Sequence, residues 1–192
     1  MKKTITALFG LLALFAGAAT AQIDSYQGQL AMNVSTSGDE TRPRIVQLTP
    51  REVKAEAVAD IVSTELSVFR LVNRKRVQFG LHPLEWNGDL EVLAQRHSQD
   101  MAINKYFGHR GLDGSIVSDR ADRCGIRRWS AIGENIAYNR GYDEPMEKAI
   151  ELWMDSPSHR QNMLNGQWRE SAVGVAIAAD GSYYFTQIFL KK

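Results

Sequence analysis

Beyond about Glu52, apolar residues recur with a helical period. Val58, Ile61, Val62, Leu66, Phe69 and Val72 follow at steps of three and four, which predicts a long helix with these residues on one face. Arg70, Arg74, Lys75 and Arg76 crowd its far end and read as a solvated terminus, since cations favour the carboxyl end of a helix. Gly80 and Pro83 break the pattern. Asn87 suits the N-cap of a second helix, with Asp89 and Glu91 in its first turn and Leu90, Leu93, Ala94, His97 and Met101 on its apolar face. That helix stops before Gly108. A third, short helix is predicted from about Ser115 to Cys124, with Gly125 at its exit. The period then changes to two. Ile132, Glu134, Ile136 and Tyr138 share one parity over Ala131 to Tyr138, as in a short strand or an extended loop. Asp143 reads as the cap of a fourth helix, with Pro145 in its first turn and Met146, Ala149, Ile150 and Trp153 on its buried face. Pro157 ends it, and Ser158 caps one further turn through Leu164. Val173, Val175 and Ile177 alternate with Ala172, Gly174 and Ala176. Asp180-Gly181 supplies a turn, and Tyr183 to Leu190 returns as a second strand. Helices first and a hairpin last predict an α+β fold, with helices covering an antiparallel sheet.

The first 21 residues differ in kind. Lys2 and Lys3 precede an apolar run from Ile5 to Ala19, and Ala19-Thr20-Ala21 has the small-x-small form of a signal-peptidase site. Residues 1–21 therefore read as a secretory signal, and the protein as exported to the periplasm or the extracellular space. Residues 22–54 read as a flexible polar segment with too little apolar surface to fold alone. Residues 55–192 read as the folded domain. No later apolar run approaches the roughly 20 residues of a spanning helix, so a transmembrane anchor is not expected.

Charge narrows the function. The 192-residue chain carries a formal charge of +1, and the leader contributes two lysines and no acid. The remainder is near neutral, which argues against a nucleic-acid partner. The sole cysteine, Cys124, excludes an intramolecular disulfide and any zinc site that needs two thiolates. It shares a face with Val117 and Ala121 and reads as a buried packing residue.

Four histidines differ in context. His82 precedes Pro83 in a turn and reads as exposed. His97 lies on an apolar helix face and reads as a hydrogen-bonded core histidine. His109 and His159 both sit at helix exits, where loops present side chains to a cleft. Glu134 occupies an apolar parity, and a buried carboxylate needs partners. The residues leave its role open. It can cap backbone amides and lock a loop, or pair with a protonated histidine or with a metal held by histidines.

Seven segments stand out in order: Leu84-Glu85-Trp86-Asn87, Ala94 to Met101, Phe107-Gly108-His109, Gly133-Glu134-Asn135-Ile136-Ala137, Trp153 to Arg160, Val173-Gly174-Val175 and Tyr184 to Phe189. Together they resemble the CAP superfamily (cysteine-rich secretory proteins, antigen 5 and pathogenesis-related 1), especially its bacterial SCP-like members. The resemblance covers roughly residues 57–190. It implies a three-layer α-β-α sandwich and a cleft lined by two histidines and two glutamates, which in some members holds a divalent metal such as zinc. His109, Glu134 and His159 match three of these positions, and Asn135 and Ser156 fall beside them. The second glutamate belongs three residues after the helix tryptophan, where this chain has Ser156. Asp155 is adjacent, but one residue turns a helical side chain by about 100°. A metal on His109 and His159 would therefore be weakly held, and no cofactor is firmly expected.

Three functions follow. The first is a binding module without turnover, its cleft holding a lipid, an envelope glycan or a protein partner. The second is a metal-assisted or His/Glu-dependent hydrolase, with Glu134, His159 and His109 as candidate catalytic residues. Ser156 and Ser158 adjoin His159, but no Gly-x-Ser-x-Gly elbow accompanies them. The third is an interaction protein that uses surface outside the cleft.

Overall fold

A computed structural model describes residues 50–192, with side-chain surroundings from residue 57 onward. The expected signal sequence and the polar segment as far as residue 49 lie outside the described residues. Helix α1 spans Pro50–Gln78, β1 Glu85–Trp86, α2 Gly88–Asn104, α3 Val117–Arg123, β2 Ala131–Asn139, α4 Pro145–Asp155, α5 Pro157–Met163, β3 Glu170–Ile177 and β4 Tyr183–Lys191. The four strands form one sheet in the order β1-β3-β4-β2. β3 pairs antiparallel with β4, and β4 with β2. β1 was not foreseen. It pairs parallel with β3 at Glu85↔Glu170 and Trp86↔Ser171, and two residues are too few to show an alternating pattern. The Ala131–Asn139 segment is a strand because β4 pairs with it along its whole length, from Ala131↔Lys191 to Asn139↔Tyr183.

The sheet is buried on both faces, which makes three layers. Val173, Val175, Phe185 and Phe189 face Val68 and Val72 of α1, Ile150 and Trp153 of α4 and Met163 of α5. Ala172, Ile188 and Leu190 face Leu90, Leu93 and Ala94 of α2 and Ala121 of α3. Alternate residues of one strand thus enter different cores, as a pleated strand requires. The α2 layer lies tight against Gly174, where an added Cβ would fall 2.1 Å from Gln95 N. Ser98 Oγ donates to Gly174 O at 2.9 Å across the same contact.

The buried stripe of α1 differs from the apolar stripe in its sequence. Val58 and Val62 are 54% and 41% exposed, whereas Glu65 and Arg76 are 2% and 1% exposed. Arg76, expected at a solvated terminus, instead donates to His82 O, Met163 O and Asn165 O and ties α1 to the turn after α5. Glu65 Oε1 and Gln95 Oε1 both accept from Val175 N at 2.9 Å, on the length of β3 that β1 does not reach. Hydropathy cannot reveal such charges, because backbone partners rather than apolar character make their burial tolerable.

Three smaller expectations need correction. Cys124 is exposed, not buried, since α3 buries only Ala121 and Cys124 is its C-cap. Glu144, not Asp143, stands at the N-cap of α4, followed by Pro145, whose fixed φ starts the helix without a side-chain cap. Ser156, not Ser158, stands at the N-cap of α5, because Pro157 already occupies the first helical position. Among the described residues no helix is long and apolar enough to cross a membrane.

Candidate functional site

β2 is the outer strand at one side of the sheet, so groups from both helical layers can meet along it. Glu134 and Asn135 are consecutive and point to opposite faces. On the α2–α3 side, the Glu134 side chain is 3% exposed and has both oxygens engaged. Oε1 lies 2.9 Å from His109 Nδ1, and Oε2 lies 2.5 Å from Nη2 of Arg120. On the α4–α5 side, Asn135 Nδ2 donates to His159 O at 3.0 Å, and Asn162 Nδ2 donates to both Asn135 Oδ1 and Glu134 O. Trp153 Nε1 donates to Ile136 O at 2.8 Å. The Gly133-Glu134-Asn135-Ile136 segment is therefore held from both layers.

The two imidazoles expected to line a cleft come together. The rings of His109 and His159 lie 5.7 Å apart between centroids, inclined at 45°. A carboxylate only accepts, so Glu134 fixes the proton of His109 on Nδ1 and leaves Nε2 uncommitted. The His109 side chain is 49% exposed. Burial pushes the His159 pKa below its ordinary value, and His109 nearby pushes it the same way. His97 matches its expected description. It is 2% exposed and hydrogen-bonded through Nε2 to Gly108 O at 3.1 Å, with burial depressing its pKa. The same nitrogen lies 3.9 Å from Glu134 Oε1, so a neutral imidazole adjoins the carboxylate without taking its charge.

Arg120 was not foreseen. Its side chain is 12% exposed, and its Nη1 donates to His109 O at 3.1 Å and Ser115 O at 2.9 Å. One guanidinium thus holds the catalytic-candidate acid and the loop carrying His109. A buried acid calls for a cation, but the sequence offered histidine or metal first, and nothing in Asp119-Arg120-Ala121-Asp122-Arg123 separates Arg120 from its solvated neighbours.

The donor set does not suit a durable zinc site. Among the described residues no group of three or more His, Cys, Asp and Glu side chains is arranged to hold a metal. Two imidazoles lack a third protein ligand, because Glu134 is engaged on both oxygens and the expected second acid is Ser156. Ser156 Oγ lies 3.4 Å from Ser158 Oγ, its hydrogen-bond partner, and is not bonded to an imidazole.

Comparisons with known proteins agree with the fold. The family model "CAP: Cysteine-rich secretory protein family" matches residues 69–189. The chain is 34% identical over 180 residues to the uncharacterized membrane protein YlbC of Bacillus subtilis strain 168, covering 88% of this chain and 49% of YlbC. It is 34% identical over 136 residues to the uncharacterized protein YkwD of the same organism, covering 71% of this chain and 50% of YkwD. It spans about half the length of these curated relatives. Among solved structures, an extracellular protein containing an SCP domain from Bacillus anthracis is similar with a TM-score of 0.61 and 30% identity, over 76% of this chain and 44% of that one.

Proposed function

Because the chain belongs to the cysteine-rich secretory protein (CAP) family, we propose that it is an exported binding module without turnover, whose His109–His159 cleft takes a lipid, an envelope glycan or a protein partner. The engagement of Glu134 carries this reading. A general base needs a lone pair facing substrate or water, and the Glu134 side chain is only 3% exposed, with each oxygen accepting a hydrogen bond, one of them from a guanidinium. No serine is hydrogen-bonded to an imidazole among the described residues, so a nucleophile–base pair is not assembled either. What the cleft offers instead is two neighbouring imidazoles, one of them oriented by a buried carboxylate on a strand fixed from both sides. That is a rigid recognition surface, and rigidity lowers the ordering cost of binding. The similarity to an extracellular protein supports export.

The test is native mass spectrometry of protein isolated from its own envelope. Retained ligand that is lost in His109→Ala/His159→Ala, with no product formed and the melting temperature held, supports the proposal. Turnover that Glu134→Gln or His159→Ala abolishes, at unchanged melting temperature, makes the protein a hydrolase and overturns it.

A further inference from the structure

We infer that the ligand of the cleft is an uncharged glycan, seated on a row of four rings formed by Tyr138, Phe107, His109 and His159. The inference rests on the cleft reading above and narrows its ligand to one class. Glu134 and Tyr138 lie four residues apart on β2, so they share a face at a separation of about 13 Å. The loop after α2 runs beside that length of strand. Its Phe107 ring meets the Tyr138 ring at 6.1 Å between centroids, and its His109 Nδ1 meets Glu134. His159 then adjoins His109 at 5.7 Å. Phe107 and Tyr138 are exposed, and both imidazoles are partly so.

The surroundings hold the row in place. Tyr184 packs edge-on against Tyr138 at 5.0 Å, and the Tyr138 hydroxyl is hydrogen-bonded to Ser182 Oγ at 3.0 Å. Glu134 orients His109. Rings fixed in advance lose little freedom on binding. Their chemistry selects the occupant. An aromatic face is electron-rich, so it attracts the C–H groups on the flat face of a sugar ring. The sugar's hydroxyls then stay in water or reach a polar group, and His109 Nε2 has a lone pair to accept from one of them. The rings within the Phe107–Tyr138 and His109–His159 pairs are inclined at 55° and 45°, which suits linked sugars that twist along their chain. An alkyl chain gains by leaving water, and rings this exposed would leave it wet. A nucleic-acid strand also stacks on rings but needs a cationic track, and the formal charge of the chain is only +1.

Isothermal titration with chitohexaose, cellohexaose and maltohexaose tests this, with sodium laurate and an oligothymidylate as the competing classes. At least one hexasaccharide is expected to bind, and its single sugar to bind about tenfold or more weakly, since one sugar covers one ring. Phe107→Ala and Tyr138→Ala are each expected to weaken the hexasaccharide about three- to tenfold, and both together to weaken it further. Tyr138→Phe, which keeps the ring face, and Val77→Ala, an exposed residue of α1, are expected to leave it unchanged. Thermal melts on the same samples show that each variant is folded, and if Tyr138→Ala is not, Phe107→Ala decides. Silence with all three hexasaccharides overturns the inference. So does binding that survives loss of the rings, or tighter binding of laurate or oligothymidylate to them. Such a failure leaves the cleft reading standing if a retained lipid or protein is lost in His109→Ala/His159→Ala. Hydrolysis of the bound hexasaccharide would instead remove the absence of turnover and leave the glycan in place.

Discussion

Replacing Glu65 with Gln removes a titrating group from the α1–β3 contact and keeps an oxygen for Val175 N. The wild-type carboxyl is 2% exposed. Burial pushes its pKa from the ordinary 4.5 to about 7, against a lowering by the Val175 amide bond and with a small further rise from Glu91. The folded chain thus holds this proton more tightly than the unfolded chain does. The stabilisation from that proton is complete below about pH 4.5 and is lost as pH rises through about 7. Each pKa unit corresponds to about 1.4 kcal/mol, so the total is about 3 kcal/mol. Urea unfolding of both proteins at a series of values from about pH 5 to about pH 8 isolates the effect, because every other titrating group is common to both. The stability of the wild type relative to Glu65→Gln is expected to fall by roughly 2–3 kcal/mol over that range. A difference that stays constant with pH would show that Glu65 is ionised throughout, and the burial argument would fail.

Two further substitutions probe contacts between layers. Gly174→Ala places a Cβ 2.1 Å from Gln95 N and 2.3 Å from Ala94 C, backbone atoms that cannot rotate away. Thermal melts should show a loss of about 3 kcal/mol as α2 lifts from β3, and an unchanged melting temperature would refute the contact. Arg76→Met strands three carbonyls beside the turn after α5 and should cost about 3 kcal/mol or more, whereas Arg74→Ala on the exposed side should stay within about 0.5 kcal/mol.

Most helices and the terminal hairpin were legible because they obey simple periodicity. Asn87 caps α2 as its position predicted, accepting from Asp89 N and Leu90 N. The conflict between the acidity of Glu134 and its apolar neighbours also pointed to a buried, paired carboxylate, and the ordered motifs pointed to His109 and His159, whose rings lie 5.7 Å apart. What escaped notice was polar burial. Glu65 and Arg76 sit where an amphipathic pattern expects apolar residues, and their partners are backbone groups some 90 to 110 residues away in sequence. Arg120 was hidden for the same reason, since its partner Glu134 lies on another element and neither side chain announces the other. The register of α1 failed as a consequence. Val58 and Val62 extend its apolar stripe in sequence but are exposed.

The treatment of the sheet's margins has a consequence for self-association. Outer strands normally offer unpaired amides and carbonyls on which a second chain can template. Here Asn162 and Trp153 occupy Glu134 O and Ile136 O at one margin, while Glu65 and Gln95 occupy Val175 N at the other. At either margin a neighbouring copy would have to displace two side chains before it could add its own strand. The same residues that fix the cleft and seat α1 thus guard the folded chain against runaway polymerisation and fibril growth at high local concentration.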